Sequence, residues 1–162
     1  MAKRIFNVTN AQTAETAYGP IYMDGSNFLP AGAARTLTTG DHCATVKLDT
    51  AAGSVVTLPA ATGSGTRFKF IVSLLATTGS HVVKVANSSD TIQGILDFVG
   101  TTGRAAFAAN ASADTITLNR TTTGSVNKGE SFDLQDFALN VWQVSGLLTA
   151  TGSPLTPFTS GV

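Results

Sequence analysis

Arg67-Phe68-Lys69-Phe70-Ile71-Val72-Ser73-Leu74 decides the class of fold. Successive side chains of an extended strand point to opposite faces. A period of two therefore gathers Phe68, Phe70, Val72 and Leu74 on one side and Arg67, Lys69, Ile71 and Ser73 on the other. The first face is expected to enter a core. Working downstream, Thr77-Thr78-Gly79-Ser80 turns into His81-Val82-Val83-Lys84-Val85-Ala86, where His81, Val83 and Val85 share a face and Val82 and Lys84 take the other. The two segments together predict a hairpin. Upstream, Cys43–Leu48 and Val55–Leu58 flank the turn signal Asp49-Thr50-Ala51-Ala52-Gly53, and Pro59 ends the second strand because it has no N–H to give a ladder.

From about Leu37 onward, short apolar runs recur between Gly, Ser, Thr, Asn and Asp at roughly eight-to-twelve-residue spacing, which points to a sandwich or barrel. Further strands are expected at Thr91–Leu96, Arg104–Phe107, Thr115–Leu118, Ser131–Leu134 and Val141–Val144. Ile116, Leu118, Phe132 and Leu134 point inward. Trp142 and Val144 share a face, with Trp142 plugging the core. Residues 1–34 instead scatter Ile5, Phe6, Tyr18, Ile21, Tyr22, Phe28 and Leu29 among Gly-Pro, Asp-Gly-Ser and Pro-Ala-Gly breaks. So many sizeable apolar groups exceed what a solvated tail carries, and the segment reads as an extended N-terminal arm ordered by what it lies against. The expected organisation is all-β: the arm over 1–34, then a single β-sandwich, jelly-roll-like or barrel domain with a C-terminal extension over 35–162. A chain of 162 residues can bury roughly 68–70% of its unfolded surface without a disulfide or metal.

Charged residues make up 12% of the chain, about half the ordinary share, so the surface is neutral and suited to being covered. Ten basic and ten acidic residues cancel. No basic cluster exceeds Lys3-Arg4, which argues against a nucleic-acid partner. No stretch reaches the roughly 18 apolar residues of a membrane helix, and Met1-Ala2-Lys3-Arg4 does not lead into a signal-peptide core. Synthesis in a cytoplasm without membrane insertion or export is the expectation.

Little in the chain is arranged for chemistry. His42 and His81 are the only imidazoles, and no GxSxG elbow accompanies them. Cys43, the sole cysteine, reads as a small buried apolar residue in a strand that sends it and His42 to opposite faces. Glu130, Asp133 and Asp136, or Asp24 with Ser26 and Asn27, could offer hard oxygens to calcium. In an extended segment, however, Glu130 and Asp133 face opposite ways, and solvated carboxylates are expected. Gly63-Ser64-Gly65-Thr66-Arg67 lacks the lysine and following helix of a phosphate loop. The reading is a non-enzyme with no catalytic residue, cofactor or metal.

The stretch Gly53-Ser54-Val55-Val56-Thr57-Leu58-Pro59-Ala60-Ala61-Thr62-Gly63-Ser64-Gly65-Thr66-Arg67-Phe68-Lys69-Phe70-Ile71-Val72 resembles a segment recurring in small virion proteins of tailed bacteriophages. His81–Asn87, Asp114–Asn119, the Trp142 strand and Leu148–Gly152 continue the resemblance over most of residues 40 to 158. It implies a head decoration or cement protein, placed on the outer capsid surface of the virion as a homotrimer at local threefold axes. Its partners would be the major capsid protein and copies of itself, with Phe6, Tyr18, Tyr22 and Phe28 as contact anchors. Two alternatives stay open: a glycan-binding head-fibre or tail-associated adhesin that stacks sugar on Trp142, and a neck or tail adaptor.

Overall fold

Alternation of apolar and polar side chains is realised as twelve strands in the computed structural model, which describes residues 28–162. In chain order they are β1 (Phe28–Pro30), β2 (Ala34–Thr36), β3 (Ala44–Leu48), β4 (Val55–Thr57), β5 (Arg67–Val72) and β6 (His81–Lys84). The remainder are β7 (Thr91–Gly100), β8 (Gly103–Ala108), β9 (Thr115–Leu118), β10 (Ser131–Ala138), β11 (Val141–Ala150) and β12 (Phe158–Thr159). Helix is confined, among the described residues, to the short 3-10 turn Thr39–Asp41. Seven strands form one sheet in the order β1-β3-β5-β10-β11-β7-β8, and five form a second in the order β12-β9-β6-β4-β2.

The first six strands alternate between the sheets. β1, β3 and β5 lie parallel in the larger sheet, and β2, β4 and β6 lie parallel in the smaller one. A parallel neighbour cannot be reached through a tight turn. Here the return path is a strand of the opposite sheet, so the chain winds as successive coils around one interior. The second half closes the structure differently. β10 runs antiparallel to both β5 and β11, while β11 lies parallel to β7 from the Val141–Thr91 pair to the Ala150–Gly100 pair. β9 runs antiparallel to β6 and β12.

One apolar cluster fills the space between the sheets. The larger sheet supplies Val46, Phe68, Phe70, Ile92, Leu96, Phe98, Phe132, Leu134, Trp142 and Val144, and the smaller supplies Val56, Val83, Ile116 and Leu118. Phe70 stacks on Phe132 with ring centroids 5.0 Å apart, and Phe68 lies tilted against Trp142 at 5.8 Å. Burial of each such side chain stabilises by roughly 1.5–3 kcal/mol. Phe132 is the cross-strand partner of Gly146, where an added Cβ would sit 2.4 Å from the Phe132 Cβ. The missing side chain on β11 is what lets the Phe132 ring lie across the strand.

Several expectations need correction. Leu74 is not in the core. β5 ends at Val72, the N–H groups of Ser73 and Leu74 both donate to Leu48 O, and this bend breaks the alternation and leaves Leu74 37% exposed. The segments 67–74 and 81–86 do not form a hairpin, because the bend carries the chain from one sheet to the other. Cys43 is exposed rather than buried. It precedes β3 with φ +63°, so neither it nor His42 belongs to a regular strand. The domain also begins before residue 35, since β1 and β2 are members of the two sheets. The rest of the expected arm, residues 1–27, lies outside the described residues.

Trp142→Ala is expected to lower the unfolding free energy by about 3–5 kcal/mol. Gly146→Ala should cost about 1–3 kcal/mol through overpacking against Phe132. Urea titration measures both, and an unchanged midpoint for either variant would contradict the packing described.

Candidate interaction surface

The ionisable groups that could suggest chemistry are occupied in holding the fold. His81 is buried, with Nδ1 accepting the Ser54 N–H at 3.0 Å and Nε2 lying 2.9 Å from Leu74 O. These partners assign a neutral ring protonated at Nε2. Burial pushes the imidazole below its ordinary value of 6.5, against the hydrogen bond to Leu74 and the charge of Asp49.

Glu130 and Asp136, expected in solvent, are buried instead. Glu130 accepts the N–H groups of Ser125, Val126 and Asn127 and the Thr149 hydroxyl, which closes the loop between β9 and β10. Asp136 accepts the N–H groups of Thr62, Gly63 and Ser64 together with the Thr62 and Ser64 hydroxyls. Burial alone would raise the Asp136 pKa; the donors from Ser64, Thr62 and Gly63 outweigh it and hold the carboxyl below 3.8. The same contest holds at Asp114, where the Thr115 hydroxyl and the Gly161 and Val162 amides prevail over burial. Asp90 accepts from Ala61 N–H and from Asn87 Nδ2. The N–H and O–H donors take up lone pairs that a cation would need, so these carboxylates are engaged in holding loops. Among the described residues no cluster of His, Cys, Asp and Glu could hold a metal ion.

The outer face of the larger sheet carries exposed side chains in register across its strands. The register aligns Phe28, Thr45, Lys69, Asp133, Ser145, Ile95 and Ala108 in one row across all seven strands. Near its middle, Cys43, Arg67, Lys69, Asp133, Gln135, Gln143 and Ser145 are among the residues that line an open groove of about 500 Å³. Lys69 and Asp133 are direct cross-strand partners of opposite charge. Toward β8 the face becomes apolar. Leu147 pairs with Asp97, which makes Ile95 and Val99 its diagonal neighbours, and the three are 54%, 55% and 48% exposed. At the β10–β11 turn Phe137 and Leu139 reach 69% and 71% exposure.

Of the expected core residues, Phe68, Phe70, Val72, Val83, Val85, Trp142 and Val144 are buried. Trp142 has no exposed face on which a sugar could stack. Phe28 is exposed on β1 with the Lys47 ammonium 5.5 Å from its ring centre; Phe6, Tyr18 and Tyr22 lie outside the described residues. Sequence alternation predicted inward faces, but it left the outward Ile95, Val99 and Leu147 unremarked. Their signal was an apolar residue at the outward position of a strand whose inward positions are also apolar.

A His81 pKa below 6.5 means that the unfolded chain takes up the proton first. The stability contributed by the neutral ring is therefore full above about pH 6.5 and is lost as the pH falls from there through the folded value. Asp114 and Asp136 contribute fully above about pH 3.8, and their contribution is lost as the pH falls through their depressed values. The urea midpoint should thus decline in two stages, and His81→Gln should remove the upper one. Glu130→Gln, which turns an amide NH₂ toward N–H donors, is expected to cost about 2–3 kcal/mol. Asp133→Asn on the outer face should stay within about 0.5 kcal/mol of the parent, and a chelator should shift neither protein.

A scan against protein-family models found no match, and no curated protein and no solved structure matches the chain.

Proposed function

We propose that the chain is a non-enzymatic virion structural protein that decorates the outer surface of a bacteriophage capsid and clamps neighbouring subunits. The observation that carries this reading is a second apolar surface. With the interior already filled, Ile95, Val99 and Leu147 still stand together on the outside of the larger sheet. A neutral, weakly charged sandwich with such a face is suited to contact over an area rather than to capture of a small molecule. The resemblance of residues 40 to 158 to small tailed-phage virion proteins supplies the particle, the major capsid protein as partner and the homotrimer at local threefold axes.

A clamp that binds only the expanded lattice stabilises that lattice by linkage and needs no chemistry of its own. Placement of the polar groups is in keeping with this. The buried carboxylates and His81 serve loops, and the groove around Lys69 and Asp133 offers exchangeable hydrogen bonds to a protein surface. The adhesin alternative loses its best residue with the burial of Trp142.

Replacing Ile95 and Leu147 together by lysine should leave the thermal midpoint within a few degrees of the parent, because both side chains are solvent-facing. The same double variant should lose occupancy on purified, decoration-free capsids in a sedimentation assay. Removal of residues 1–27 should likewise leave a folded domain with reduced occupancy. Full occupancy by both variants would overturn the proposal.

A further inference from the structure

Among the described residues four strands end the two sheets, and three of those edges are guarded. β1 and β2 have three residues each and β12 has two. Pro30 removes a donor from β1, and its carbonyl accepts Arg35 Nε at 2.7 Å. Arg35 places a charge on β2, and Pro157 immediately precedes β12. Shortness, charge and proline are the usual means by which an edge is kept from pairing with another chain.

β8 is neither short nor proline-bearing, and its charge is paired within its own sheet. It is six residues long, Gly-Arg-Ala-Ala-Phe-Ala, contains no proline and, among the described residues, pairs only with β7. Its single charge, on Arg104, is neutralised within the sheet by the Asp97 carboxylate, which accepts Arg104 Nε at 2.9 Å on each oxygen. The direction of its backbone groups follows from one bond. Ala109 N–H donates to Gly94 O, so residues 109 and 94 form a hydrogen-bonded pair. Alternation along an antiparallel ladder then makes 107 with 96, 105 with 98 and 103 with 100 bonded pairs as well. Arg104, Ala106 and Ala108 consequently turn both N–H and C=O away from β7, toward solvent.

We infer that β8 is a self-pairing edge whose occupant is β8 of a second copy of this chain, joined antiparallel across a twofold axis at Ala106. In that register Ala106 faces Ala106 of the second copy, and Arg104 faces Ala108. The outward groups of the two strands close about six backbone hydrogen bonds. The two arginines stay apart along the strand, so no like charges meet. On the inner face Ala105 lies opposite Phe107 of the second copy, a small residue against a large one. Phe107 is only half-buried, with its ring edge-on to Phe98 at 5.7 Å, and the pairing would cover it. A twofold contact is self-complementary by construction, as this strand is. It differs from any threefold contact and would link two copies, or two trimers, without using the apolar face around Leu147. The inference stands apart from the proposed capsid role, since it concerns the protein in solution.

The deciding experiment is the mass of the full chain by light scattering over a micromolar concentration series, compared with Ala106→Pro. At Ala106 the N–H points to solvent, so proline deletes no bond to β7 and removes only the intermolecular donor. The parent is expected to reach twice the mass of the variant at the upper concentrations, with matching thermal midpoints in dilute solution. Should Ala106→Pro fail to fold, Ala106→Lys decides, because it keeps the N–H but sets two like charges against each other at the axis. Equal masses for parent and folded variant at every concentration would overturn the inference. Equal masses with loss of the variant from capsids would overturn it too, and would give the edge to a strand of the capsid protein.

Discussion

The chain crosses repeatedly between the sheets, and at several crossings backbone N–H groups on the rim of the apolar slab have no strand carbonyl to donate to and find a carboxylate instead. A buried amide left unpaired costs about 1–3 kcal/mol, so a fold that crosses repeatedly depends on acceptors placed at the rim. Four buried carboxylates serve there. Asp136 collects the amides of the loop from β4 to β5, Asp90 ties that same loop to the one entering β7, Glu130 closes the loop from β9 to β10, and Asp114 holds the chain end at Gly161 and Val162. Asp49 makes a comparable contact, accepting Gly32 N–H between two coils. The ion pair found among the described residues lies elsewhere, on the outer face between Arg104 and Asp97. The buried acids are thus balanced by dipoles rather than by cations, which accounts for how a chain so poor in charge can place its carboxylates inside.

With the crossings secured, the interior is a problem of shape. Phe70 and Phe132 stack across adjacent strands, and Phe68 and Trp142 meet next to them. Glycine appears where a side chain would block this. Gly146 makes room for Phe132, and Gly94 combines φ +129° with a backbone approach in which a Cβ would lie 2.1 Å from Val144 O. The parallel pairing of β7 with β11 is close because that position has no side chain.

The outside of the molecule divides along the larger sheet. Around β5 and β10 it is polar and grooved, with Lys69 and Asp133 paired across the strands; toward β7 and β11 it turns apolar; and at β8 it ends in an edge whose backbone groups face solvent. Each of these regions offers a different kind of interaction. The first offers exchangeable hydrogen bonds, the second apolar area and the third a strand to extend. The proposed role within an assembly would draw on all three.

The alternation in Arg67–Leu74, Thr115–Leu118 and Val141–Val144 determined an all-β chain and most of its inward faces, because a period of two is a local property of the backbone. It failed at Leu74, where two successive amides bond to one carbonyl, and at the expected hairpin, where the chain changed sheets. Asp136 could not be read as a buried acceptor, since its donors are more than seventy residues away in sequence; Glu130 finds its amide donors three to five residues upstream in its own loop, a fold-back that strand alternation does not encode. The outer apolar face and the open β8 edge were equally hidden. Which strands are neighbours, and which remain at an edge, is set by long-range pairing alone. By itself the sequence determined the kind of element and the side each residue faces. Only the tertiary structure decided the parallel coiling, the partners of the buried acids and the surface left to meet another molecule, because those depend on contacts that local periodicity does not encode.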